Sequence, residues 1–174
     1  GILEGRLYPK GKNQSANFIV YRTPDYLLSG VQDHWKGEFE PQVHAAQVTL
    51  GNKVVIFWTC PHTSGEGSGQ IPDYWSGSTS LPRVIQHRNV LALTYRRSES
   101  SWMTHCFFEQ SRFDEVRFAG SWTFARVNHG YVGIYSQHGT VVSDYGQYAG
   151  RELICDAPEN TWMVECGRKA DWSS

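Results

Sequence analysis

The chain has 174 residues, of which 16 are basic and 17 acidic, for a formal charge of −1. That length holds one domain, residues 1–174, with a full hydrophobic core, and the composition fits neither a disordered, a collagenous nor a coiled-coil chain. The balanced charge gives no electrostatic case for a nucleic acid or an anionic membrane, and no apolar run approaches the roughly 20 residues of a membrane-spanning helix.

The chain opens Gly1-Ile2-Leu3 without an initiator Met, so it reads as a processed product or a piece of a larger parent protein. Residues 1–15 read as irregular. They hold a glycosylation sequon, Asn13-Gln14-Ser15, which leaves secretion open for a chain that otherwise reads as soluble. From Asn17 onward, short β-branched and aromatic runs recur about every 8 to 12 residues between turn signals. In chain order the predicted strands are NFIVYR, YLLSGVQ, VHAAQVTL, VVIFWT, RVIQH, VLALTYR, MTHCFFE, DEVRFA, SWTFARV, YVGIYSQ, TVVSDY, RELICD and TWMVECG.

The turns between these runs have a mechanism. Asn128-His129-Gly130 and His138-Gly139 place Gly where a positive φ is needed, and Thr23-Pro24-Asp25 suits a type I turn. Short consecutive turns imply antiparallel pairing. The expected fold is therefore an all-β antiparallel sandwich of about 11–13 short strands with little or no helix.

One connection breaks the rhythm, the long loop over residues 60–82. Loops longer than about 15 residues in a compact domain are usually functional or disordered. This one carries Tyr74 and Trp75 beside small residues, where exposed rings could stack on a sugar face. His87 lies in the strand beyond it, and Arg83 at that strand's start has the planar fork that matches a uronate carboxylate. In a sandwich most Trp and Tyr fill the core, and most such arginines make structural pairs, so these readings stand beside plainer ones.

The stretch QVHAAQVTLGNKVVIFWTCPH carries the other candidate chemistry. If Leu50 pairs with Val54 across Gly51-Asn52-Lys53, a period of two sets His44 beside Cys60 and His62. His105, mid-strand in MTHCFFE, could close a site for zinc or another divalent metal, with His44, Cys60, His62 and His105 as ligands. The alternative is that these histidines are hydrogen-bonded core or edge residues. His44 could also act as a bare acid or base. Asp114 and Glu115 are strand neighbours that point to opposite faces, so they make no paired-carboxylate site. Cys155 and Cys166 flank an apparent hairpin and could be bridged or stay free, as could Cys60 and Cys106.

The runs YRTPDYLLSGVQDH, QVHAAQVTLG, DYWSGSTSLPRVIQ and THCFFEQSRFDEV, with the closing GYVGIYSQHGTVVSDYGQYAGRELICDAPENTWMVECG, resemble the C-terminal β-rich region of heparinase II/III-type polysaccharide lyases. In that family a helical toroid supplies a catalytic Tyr and most of the cleft, and the sandwich contributes a histidine and, in some members, a metal site. The resemblance makes His44 the position most like that histidine, with His62 and His105 secondary. No toroid is present in this chain. The resemblance therefore implies a carbohydrate-associated module, accessory to a parent protein or a homo-oligomer, that binds or helps to process a polysaccharide or oligosaccharide. A stand-alone lyase using His44 and Arg83 is the alternative. A cupin-like metalloenzyme is a weaker one, since the HxH-then-Glu pattern of such barrels is missing.

Overall fold

The computed structural model describes residues 1–7, 16–32, 44–51, 54–61, 78–99 and 101–172. Two antiparallel sheets face each other across one core. The first has eight strands in the order β1-β2-β3-β4-β5-β8-β13-β12. These are β1 (Ile2–Leu7), β2 (Ala16–Arg22), β3 (Tyr26–Gln32), β4 (Ala46–Leu50), β5 (Val54–Thr59), β8 (Thr104–Phe107), β12 (Val141–Val142) and β13 (Glu152–Cys155). The second has six, in the order β6-β7-β14-β11-β10-β9. They are β6 (Arg83–His87), β7 (Val90–Arg96), β9 (Glu115–Ala119), β10 (Trp122–Val127), β11 (Gly130–Ser136) and β14 (Glu159–Arg168). The all-β sandwich expected from the turn spacing is the fold observed. Among the described residues, no helix is long and apolar enough to cross a membrane.

Strand alternation builds the core. Leu28, Val48, Ile56, Trp58, Cys106 and Leu153 point inward from the first sheet. Leu91, Leu93, Tyr95, Ile134, Trp162 and Val164 meet them from the second. The Trp58 and Trp162 rings meet edge-on, with centroids 6.5 Å apart, and Trp162 Nε1 donates to Thr104 Oγ1 at 3.1 Å. Burying each such side chain stabilises the fold by roughly 1.5–3 kcal/mol.

Three features differ from the sequence reading. Ile2–Leu7 is an edge strand, paired along its whole length from Ile2↔Tyr21 to Leu7↔Ala16. Its period is hidden because Ile2 and Leu3, on opposite faces, are both exposed. Second, β13 and β14 do not form a hairpin, because the chain crosses from one sheet to the other between them. Cys155 and Cys166 thus lie on different sheets, and all four cysteines are free and buried. Third, in the β10–β11 turn the left-handed residue is Asn128, φ 53°, and not Gly130. Gly130 serves close approach instead: a Cβ there would lie 2.6 Å from the Asp25 carbonyl oxygen. Gly139, at φ 76°, does take the left-handed conformation.

Candidate functional site

The β4–β5 hairpin adopts the register Leu50↔Val54, Val48↔Ile56 and Gln47↔Phe57, with Gly51 turning at φ 58°. Even so, it does not bring His44 to Cys60. Alternation lapses before β4, where Ala45 and Ala46 are both buried. The His44 ring therefore stacks on Phe57, centroids 3.9 Å apart and 9° from parallel. Phe57 in turn stacks on Phe107 at 5.0 Å, on the outer face of the eight-stranded sheet. Cys60 belongs to the core behind that sheet. Burial pushes its thiol up to about 11, against weaker downward pulls from Ser101, Arg97 and Thr79.

His105 lies on the outer face too, buried between neighbours on both sides. Its Nδ1 meets Glu152 Oε1 at 2.9 Å, and its Nε2 meets the Thr59 hydroxyl. Glu152 and Thr59 are fully buried and His105 is 1% exposed. Both ring nitrogens are thus occupied by protein, which leaves no lone pair for a metal. Among the described residues, no three His, Cys, Asp or Glu side chains gather as a metal site. His62, Tyr74 and Trp75 lie outside the described residues.

The outer face of the six-stranded sheet offers different chemistry. Strand pairing aligns His87, Val90, Glu165, Gly133, Phe124 and Arg117 in one row. The next row runs Ile85, Ala92, Met163, Tyr135 and Trp122. Arg83 stands at the far edge, opposite Thr94. Arg83 and His87 are exposed there. Both therefore share a sheet face with an aromatic platform, although the register places them several strands away from it.

That platform is a groove of about 490 Å³ whose lining includes Trp122, Phe124, Tyr131 and Gly133, within the roughly 300–1,000 Å³ usual for ligand sites. The Trp122 and Phe124 rings are 7° from parallel at 5.6 Å, and Tyr135 leans on Trp122 at 5.2 Å. Gly133 sets their height. A Cβ there would lie 3.2 Å from Phe124 Cε1 and 3.3 Å from Trp122 Cζ3, so any side chain at this position would push the rings outward by a few tenths of an ångström. Phe124 remains 44% exposed.

Charges frame one end of the groove. Glu115 accepts from Arg117 Nε at 2.6 Å and Arg126 Nε at 3.5 Å, and Arg126 Nη1 reaches Asp114 Oδ2 at 3.2 Å. The Arg117 guanidinium, hydrogen-bonded to Glu115, holds that carboxyl below its ordinary range. Glu165 stands apart: its exposed carboxylate has no ion pair or hydrogen bond among the described residues.

Sequence reasoning placed the sugar platform on Trp75 for its loop context and passed over Trp122, Phe124, Tyr131 and Tyr135. A signal existed. In SWTFARV and YVGIYSQ Trp122 and Phe124 are two residues apart, and Tyr131, Gly133 and Tyr135 follow one another at the same interval, the spacing of one sheet face. Those strands carry apolar residues on both faces, however, so the spacing alone did not tell core from surface. No family model, no curated protein and no solved structure matches the chain, and these comparisons give no link to heparinase II/III-type lyases.

Proposed function

We propose that the protein is a carbohydrate-binding β-sandwich module that holds a polysaccharide or oligosaccharide chain on the outer face of its six-stranded sheet. The observation that carries this reading is the pair of near-parallel Trp122 and Phe124 rings over Gly133. Flat rings bury the C–H face of a pyranose, and polar groups at the margin take its hydroxyls. Arg117, Arg126 and Glu115 form such a margin, and their mutual ion pairs fix it in place. A lyase or metalloenzyme reading draws less support, because His105 is sealed by its partners and His44 is stacked flat against Phe57.

Electrophoresis through gels containing single polysaccharides tests the proposal. The wild type should be retarded by at least one neutral or charged glycan, and Trp122→Ala should lose about tenfold or more in affinity with unchanged far-ultraviolet circular dichroism. Retardation that survives Trp122→Ala would remove the platform from the account.

A further inference from the structure

A second hollow adjoins the groove, and the two share Glu165 as a lining residue. The second hollow has a volume of about 180 Å³ and is bounded by Tyr21, Tyr26, Arg88, Asn89 and Asp171. That is close to the size of a void that holds one six-membered ring. Pairing in the sheet sets Glu165 two strands from Phe124, through Gly133, or about 10 Å. The two hollows meet at Glu165, with the Trp122 and Phe124 rings on one side of it and the polar Arg88-Asn89 turn on the other.

The polar end is built and held. Arg88-Asn89 is a two-residue turn between the paired His87 and Val90. Asn89 Nδ2 donates to the Cys166 carbonyl at 2.8 Å, and Cys166 N–H donates to the Asn89 carbonyl at 2.9 Å. Gln86 Nε2 grips the Arg88 carbonyl at 3.0 Å. Arg88 itself takes φ 52°, a conformation that disfavours a long side chain and that Asn or Gly would occupy more readily. Strain of this kind gathers at binding sites. Its guanidinium, like the Glu165 carboxylate, has no ion pair or hydrogen bond among the described residues. The other charges there are spoken for, Asp171 by Arg168 at 2.6 Å.

We infer that this hollow is a second sugar subsite, selective for a neutral hexose unit, and that the ligand is a neutral oligosaccharide long enough to run from the Trp122 and Phe124 platform past Glu165 to the Arg88-Asn89 turn. The inference rests on the glycan reading of the platform. An unpaired carboxylate and an unpaired guanidinium lining one hollow present an acceptor and a donor together. A pair of sugar hydroxyls, each able to donate and accept, satisfies both. A uronate carboxylate drawn to Arg88 would also meet the repulsion of Glu165, and a glucosamine ammonium drawn to Glu165 that of Arg88, so a charged unit loses to one group what it gains from the other.

Calorimetric titration of the whole chain with di- and hexasaccharides of glucose, mannose, galacturonate and glucosamine tests this. A neutral hexasaccharide should bind about tenfold more tightly than either charged one. Arg88→Asn, which suits the turn, and Glu165→Gln should each weaken the hexasaccharide about fivefold to tenfold and leave the disaccharide within twofold. Hexasaccharide affinity unchanged in both variants, with Trp122→Ala still abolishing binding, would overturn the second subsite and leave the platform intact. Preference for the galacturonate or glucosamine chain would overturn the neutral selectivity. Failure of every sugar to bind the wild type would overturn the platform reading and this inference with it.

Discussion

Cys60, just past the end of β5, is fully buried, and its thiol is raised to about 11 chiefly by burial. The native state therefore keeps a proton that the unfolded chain releases near pH 9, so this contribution to stability is complete below that pH and declines up to about 11. Between pH 8 and 10.5 the wild type should lose about 2 kcal/mol relative to Cys60→Ala in urea unfolding. A difference between the two that stays constant with pH would mean that the thiol is better solvated than its burial implies. The sequence placed Cys60 at a strand end with its side chain on the Trp58 face, and both hold. It could not show His44 leaving that face, because the lapse at Ala45 and Ala46 leaves no mark in composition: two small apolar residues fit either side of a sheet.

Single side chains tie whole elements together. His105 links β5 to β13 through Thr59 and Glu152. Removing one member of a buried pair usually costs several kcal/mol. His105→Ala should accordingly destabilise the protein by about 3 kcal/mol in chemical denaturation, and a loss below about 1 kcal/mol would show that Glu152 and Thr59 find other partners once the imidazole is gone. Gly130 governs a different contact, where β11 passes the turn before β3. Gly130→Ala should cost about 2 kcal/mol, since its methyl would lie 2.6 Å from the Asp25 carbonyl oxygen. An unchanged midpoint would mean that the turn gives way. Among the described residues, thirteen of the fourteen strands were legible in the sequence, because β-branched runs between turn residues mark them directly. The pairing of β13 with β8 and of β14 with β7 and β11 was not. A short connection is equally consistent with a hairpin and with a crossing between sheets, and only packing of the whole core decides.

At the scale of the molecule, the two sheets have unlike outer faces. The eight-stranded sheet carries the His44, Phe57 and Phe107 stack and the sealed His105 group. The six-stranded sheet leaves Phe124, Met163, Val90 and Ile85 exposed across its outer face, and ion pairs border the groove at one end of it. Exposed apolar side chains gathered on one face mark an interaction surface more often than chance. The sequence announced an aromatic-rich sandwich, yet the location of the exposed rings depended on which face of β10 and β11 turned outward. That choice is fixed by Ala125, Val127, Val132 and Ile134 facing the core, a collective outcome that no single motif records.

The most direct test follows backbone amide shifts by nuclear magnetic resonance during titration with a neutral hexasaccharide. The account predicts perturbations concentrated at Trp122, Phe124, Tyr131, Gly133 and Glu165, extending to Arg88 and Asn89, with upfield movement of sugar protons stacked on the rings. Perturbations centred instead on His44, or on the loop bearing Tyr74 and Trp75, would contradict it.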